Sequence, residues 1–190
     1  GVPFKMSKRA GTFVTLRELV DRVGADATRF VMLTRKNDAP LDFDFDKVLE
    51  QTKENPVFYV QYAHARICSV MRKATEIGLA IDDATLAGSD LDSLIDSAEI
   101  TLAAKVAEFP RLVDIAARSN EPHRIAFYLY ELASDFHSLW NKGQEQPRLR
   151  FLQKDNPSAS CAKISLIRST AVVISAGLGI LGVTPAQEMR

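Results

Sequence analysis

Cysteine is nearly absent from this sequence: Cys68 and Cys161 are the only two in 190 residues. A disulfide-stapled framework is thereby excluded, and two thiols in apolar helical stretches are expected to be buried and reduced, as in the cytosol. Histidine is equally thin. His64, His123 and His137 share no metal-ligand spacing with either cysteine, so no zinc site is expected. Net charge is missing altogether, with 24 basic residues set against 24 acidic ones. That excludes the global basic excess behind indiscriminate nucleic-acid binding, so any such surface must come from how the charges are distributed. Membrane-length apolar runs are lacking too. The stretch from Ala171 to Val183 spans 13 residues with three glycines, too short for a bilayer, and is expected to be a core helix. The start, Gly1-Val2-Pro3-Phe4-Lys5, has no apolar signal core, and a cytoplasmic protein is expected. Internal repeats and low-complexity tracts are also absent.

What is present is an ordinary soluble composition, 46% apolar and 25% charged, at a length suited to one large domain or one domain with a small appendage. At that size roughly 70% of the unfolded surface can be buried, enough for a self-sufficient core. The charges are unevenly placed. Residues 1–36 carry a net +5, residues 37–55 a net −4, residues 82–99 a net −6 and residues 140–168 a net +4. Such alternation either orients a polyanion on one face or simply marks solvated surfaces.

Apolar spacing reads as helix after helix. Thr15 caps a short helix to Val23, with Glu18 completing a capping box and Gly24 as its stop. Asp26 opens a second helix, Ala27 to about Arg35, and a turn-rich linker from Asn37 to Asp44 follows. Asn55-Pro56 introduces a long helix from Val57 to about Ile77, Pro56 suiting the first helical position. The acidic stretch Asp82 to Asp96 has a weak helical pattern and reads as a surface excursion with no assigned role. Three further helices are expected at about 99–118, 122–142 and 158–181. Their breaks are Asn120-Glu121-Pro122, Gly143 to Pro147, and Asn156-Pro157. The predicted fold is all-α, a small helical unit over residues 1–44 followed by a helical bundle over residues 45–190.

Lys5-Met6-Ser7-Lys8, followed by Arg9-Ala10-Gly11-Thr12, makes a basic loop ahead of the first helix. Paired ammonium groups suit the stabilisation of charge on a triphosphate, although a bare basic tetrapeptide reads more readily as a solvated tail. Taken with Gly24-Ala25-Asp26-Ala27-Thr28-Arg29-Phe30, the loop resembles the signature loop and stem-contact unit of class I aminoacyl-tRNA synthetases. The resemblance implies that Lys5 and Lys8 contact ATP phosphates as the aminoacyl-adenylate forms. The family's other nucleotide signature, a His-x-Gly-His motif on a Rossmann strand, does not occur here, nor does a glycine-rich strand-turn-helix cradle. These residues by themselves are therefore expected to be catalytically inactive. Asp42-Phe43-Asp44-Phe45-Asp46 has the acidic spacing of a calcium loop, but Lys47 stands where glycine is required and Lys53 where glutamate is. Those acids suit a helix N-terminus instead.

On a helix, where successive residues turn by about 100°, Val60, Ala63, Ile67, Val70 and Ala74 share one core stripe. Tyr59, Tyr62 and Arg66 form a second stripe on its shoulder. Two phenols and a guanidinium in a row either stack unpaired bases and grip phosphate, or lie half-buried with their hydroxyls wet. The run from Asn55 to Arg66 resembles the opening of the DALR-type anticodon-binding domain of arginyl-tRNA synthetases. Glu121 to Ala133 resembles that domain's middle helix, and Gly182 to Arg190 its C-terminus, so the resemblance covers essentially the whole chain. It implies that Tyr59 and Tyr62, with Arg66 beside them and Met189 near the terminus, embrace anticodon bases. Phe136 stands where relatives carry an aromatic that meets the anticodon loop. It also falls mid-stripe with Ile125, Leu129, Leu132 and Leu139, which leaves core packing open, and Trp140 at the stripe's edge suits either role.

For the intact enzyme, the resemblance implies ATP-dependent activation of arginine, with Mg²⁺ accompanying the ATP, and transfer of arginine to its tRNA. Arginine tRNA, arginine and ATP are the implied partners, the last two through a catalytic region upstream of these residues. No metal, membrane or oligomer is implied for this chain, and a monomer is expected. Cysteine and methionine synthetases also place helical bundles after a similar loop. A helical protein-interaction module would instead show a large exposed apolar patch.

Overall fold

Helix caps decide where each segment begins, and they lie close to the places the sequence marks. In the computed structural model, which describes residues 15–36, 48–50 and 52–189, seven α-helices and no strand are found among the described residues. They are α1 (Leu16–Val23), α2 (Ala25–Met32), α3 (Pro56–Glu76), α4 (Asp83–Ala87), α5 (Ser97–Ser119), α6 (His123–Glu145) and α7 (Pro157–Ile180). Short 3-10 turns occupy Leu91–Ser93 and Pro147–Leu149. Lys5, Lys8, the linker Asn37 to Asp44 and the acids Asp42 to Asp46 lie outside the described residues.

The Thr15 hydroxyl accepts from the Glu18 N–H at 3.1 Å while the Glu18 carboxylate accepts from the Thr15 N–H at 2.7 Å, the reciprocal capping box expected there. Gly24, at φ 87°, ends α1 and serves at once as the N-cap of α2. The second helix therefore starts at Ala25 and stops at Met32, earlier at both ends than its sequence pattern suggests, with Asp26 inside its first turn. Asn55 caps α3 from a buried position: its oxygen accepts from the Phe58 N–H, and its amide donates to the Val48 and Glu50 carbonyls at 2.6 and 2.9 Å. Asn120 closes α5 in the left-handed region at φ 55°. Helix α6, however, runs through the expected break at Gly143 to Glu145. The turn at Pro147–Leu149 folds back on it, and a Cβ at Gly143 would stand 3.2 Å from the Leu149 carbonyl oxygen. Glycine is there for close approach, which resembles a helix stop when read from sequence alone.

Helices α6 and α7 pack on each other, and each packs on both α3 and α5; α2 lies on α3, and α4 on α7. Val60, Ile67, Leu102, Leu129, Leu132, Phe136, Ile167, Ile174 and Leu178 fill the resulting core, which also takes in Phe30 from α2. Helix α7 carries buried residues around much of its circumference, as a central helix must. It is long and apolar enough to cross a membrane by length and composition, yet half of its apolar window is buried in the bundle, so the expected core helix is what forms. Gly177 lets α6 approach it.

Three expectations are modified on folding. Both cysteines are half-buried rather than buried, Cys68 because it faces the chain terminus rather than the core. The acidic excursion lies mostly at the surface, as expected, but it is anchored: Leu86 is buried, and the Leu86 carbonyl accepts from the Ser165 hydroxyl of α7 at 2.9 Å. Its carboxylates also consume much of the basic segment at 140–168. Asp83 pairs with Arg168, Asp96 with Lys142 at 3.2 Å and Arg148 at 3.4 Å, and Glu99 with the buried Lys163. Three acids of the first segment and four bases of the second are thus paired with each other.

Candidate functional site

The shoulder of α3 predicted to carry Tyr59, Tyr62 and Arg66 meets one edge of α6, and the two helices build a continuous row of rings. Tyr130 lies 5.2 Å from Tyr59 between ring centres, Tyr59 lies 4.5 Å from His137, and His137 lies 5.6 Å from Tyr62. Phe58 stacks on the far side of Tyr62 at 5.6 Å. The Arg66 guanidinium carbon stands over the Tyr62 ring at 4.1 Å and over the Trp140 ring at 4.7 Å. Its Nη2 donates to the Tyr62 hydroxyl at 2.8 Å, one helical turn back. Tyr59, Tyr62, Arg66 and Trp140 are all half-buried, so each keeps part of a face or edge toward solvent.

His137, buried at 5% exposure, organises this row. A guanidinium only donates, so His137 Nδ1, 3.3 Å from Arg66 Nη1, must accept. Its Nε2 then carries the proton and donates to the Tyr59 carbonyl at 3.2 Å. Protonation at Nδ1 would set an N–H against an N–H beside a fixed positive charge. Burial, reinforced by Arg66 and opposed by the bond to Tyr59, accordingly pushes the imidazole down to about 4 from 6.5. Within this cluster every partner of Arg66 is neutral, namely one hydroxyl, one imidazole nitrogen and two ring faces. Among the described residues no carboxylate pairs with it.

The structure brings Tyr59, Tyr62, Arg66 and Trp140 into one site. Phe136 does not join its surface: it is fully buried, stacked on Phe151 at 5.9 Å with the two planes 7° apart. The alternative that the sequence left open, core packing, is the one its position on α6 enforces, and from there it supports Trp140 at 6.1 Å. Met189 lines a cleft of about 510 Å³ together with Phe58 at the end of the ring row, Gln61 and residues 23–27. Lys5 and Lys8 lie outside the described residues. Phe58, Tyr130 and His137 escaped sequence reasoning. A signal was available for the last two, since a spacing of seven puts both on one face of α6.

Physically, flat half-exposed rings beside this guanidinium suit a planar, electron-rich ligand joined to an anion, the description of an unstacked nucleotide. No group of three His, Cys, Asp or Glu among the described residues is arranged to hold a metal.

Residues 60–189 match the family described as the DALR anticodon binding domain. The whole chain is 72% identical to the arginine–tRNA ligase of Cereibacter sphaeroides and 70% identical to that of Ruegeria pomeroyi, in each case over 33% of the relative. The chain thus spans about a third of the length of the relatives it matches. Among solved structures, the arginyl-tRNA synthetase of Thermus thermophilus superposes with a TM-score of 0.71 at 27% identity, covering 96% of this chain and 29% of that one.

Proposed function

This chain belongs to the DALR anticodon-binding domain family, and we propose from that premise that it recognises the anticodon loop of arginine tRNA as part of an arginine–tRNA ligase. One observation carries the reading: the Arg66 guanidinium laid over two half-exposed rings, Tyr62 and Trp140, next to Tyr59. Splayed anticodon bases pack against the solvent-exposed parts of Tyr59, Tyr62 and Trp140 and extend the stack that Arg66 makes on the last two, while Arg66 donates to the phosphate between them; each stacked base is worth roughly 1–3 kcal/mol. Met189 adds an apolar edge from its cleft. His137 holds Tyr59 and Arg66 in place and stays neutral, so that within the described cluster the charge comes from Arg66. The acidic segment at 82–99 serves the fold by neutralising part of the basic segment at 140–168, which removes that part from the RNA footprint.

In this reading residues 45–190 bind the anticodon, and residues 1–44 are the signature loop and stem-contact unit. The whole ligase activates arginine with ATP and Mg²⁺ in the cytoplasm and transfers it to the tRNA. Lys5 and Lys8 are the positions the family resemblance links to ATP, and no step involving ATP is assigned to the described residues. The test is binding of this chain to anticodon stem-loops of arginine tRNA with the middle anticodon base changed in turn. Affinity that tracks that base supports the assignment; affinity indifferent to it removes the specificity.

A further inference from the structure

The residues that follow α7 run alongside α3, held by a polar stripe that the ring row does not use. Gln61 grips this tail as a neighbouring backbone would. Its Nε2 donates to the Thr184 carbonyl at 2.7 Å and its Oε1 accepts from the Ala186 N–H at 2.6 Å. Three residues on, His64 Nδ1 donates to the Ala186 carbonyl at 2.7 Å, since a carbonyl can only accept, and the Ser175 hydroxyl of α7 meets Nε2 at 2.8 Å. Cys68 Sγ donates to the Gln187 side chain at 3.2 Å, while Arg72 donates to the Gln187 carbonyl at 3.3 Å and pairs with Glu188 at 3.6 Å. Positions 61, 64, 68 and 72 lie on one helical face, well around the helix from the face of positions 59, 62 and 66. The upstream end of the tail is gripped from α2, where Asp26 accepts from the Thr184 N–H at 3.1 Å and Arg29 donates to the Gly182 carbonyl. The tail therefore bridges α2 and α3 and delivers Met189 into the cleft also lined by Phe58, whose ring stacks on Tyr62.

We infer that Gln61 and His64 are positioning residues for the RNA-binding face: they hold the tail as a latch that sets Met189 in the cleft that Phe58 also lines, so RNA affinity depends on a clamp that touches no RNA. The inference rests on the anticodon-binding reading. An unheld tail would have to be ordered by the RNA itself, at the expense of affinity, whereas a latched one presents Met189 in advance.

A double-mutant cycle tests it. Gln61→Leu deletes both hydrogen bonds at nearly constant size, Met189→Ala deletes the delivered group, and the third variant combines them. The probe is the anticodon stem-loop of an arginine tRNA, with binding read from Trp140, the only tryptophan in the chain. Hydrogen exchange at the Ala186 amide reports the latch itself. Gln61→Leu is expected to accelerate that exchange and weaken RNA binding by roughly fivefold to tenfold, the scale of one truncated interface contact. Met189→Ala should match it, and the double variant should be no weaker than the worse single one, because the two changes remove the same thing. Accelerated exchange with unchanged affinity, or losses that multiply in the double variant, would overturn the latch. Tyr62→Ala run in parallel separates the two readings. Unaltered affinity there overturns the anticodon-binding face together with the latch, whereas a loss in Tyr62→Ala with none in Gln61→Leu overturns the latch alone.

Discussion

His137 and Tyr59 touch twice, ring against ring at 4.5 Å and through a hydrogen bond from His137 Nε2 to the Tyr59 carbonyl at 3.2 Å. This double contact joins α6 to α3 at the centre of the ring row. It also makes the imidazole a fixed, neutral part of the site, with consequences that can be measured.

The first concerns pH. The imidazole is pushed down to about 4 in the fold, from the ordinary 6.5 it regains on unfolding. Between those values the unfolded chain holds the extra proton, so stability falls as pH drops from about 6.5 toward 4. An NMR titration of the His137 ring should show no inflection near 6.5. Urea denaturation at pH 7 and pH 5 should show a smaller difference for His137→Gln than for the parent chain.

In the proposed interface, Arg66 and Tyr62, which touch each other, contribute to RNA binding in coupled ways that different substitutions distinguish. Tyr62→Ala removes a stacking face and the hydroxyl that receives Arg66, and should weaken binding by about 1–3 kcal/mol. Arg66→Lys keeps the charge but not the planar guanidinium, so a loss of about 1 kcal/mol is expected even at low salt. Titrations over a range of ionic strength check this, since a merely electrostatic role would let lysine substitute fully.

Phe136 should behave as a core residue. Phe136→Ala empties a fully buried site and is expected to cost about 3–5 kcal/mol of stability. Phe136→Leu, which keeps most of the volume, should remain folded and bind RNA as the parent does. A strong binding loss in a well-folded Phe136→Leu would return this ring to the interface.

The contact between α6 and α7 depends on Gly177. An added Cβ would stand 2.7 Å from Leu129 Cδ2. Gly177→Ala should therefore destabilise the chain by about 1–3 kcal/mol despite alanine's better helix propensity. Shortening the opposing side chain with Leu129→Val should recover part of that loss, which thermal unfolding of the single and double variants will reveal.

The buried pair of Lys163 and Glu99 makes a further distinction. Lys163→Met leaves the Glu99 carboxylate without its partner in a site where both side chains are less than 10% exposed, and should cost about 3–5 kcal/mol. The joint change to Lys163→Met and Glu99→Gln should be much milder, as seen in chemical denaturation.

Much of the local architecture was legible because caps and stripes are local. Thr15 and Glu18 meet across three residues, Asn55 sets the start of α3, and the core stripe from Val60 to Ala74 needs only the helical period. The same period placed Tyr59, Tyr62 and Arg66 together. It could not decide whether Phe136 faced solvent, because that depended on Phe151, a residue of the chain following α6 that packs against its ring. Nor could it tell that Gly143 lies inside a helix, since the reason is a turn folding back from Pro147–Leu149. The charge blocks were visible, but their partial pairing was not.

By itself, then, the sequence determined the all-α class, the helix order and the stripe on α3 that faces outward, because each follows from interactions within a few residues of chain. Only the tertiary structure decided that His137 and Tyr130 complete that stripe, that the acidic and basic segments pair in part, and that Gln61 holds the tail. Those outcomes depend on contacts between residues 46 to 125 positions apart in the chain, set by which helices α6 and α7 bring side by side. No periodicity records that. The Tyr59–His137 contact arises the same way: the rings stand on different helices and meet only after the core beneath them has closed.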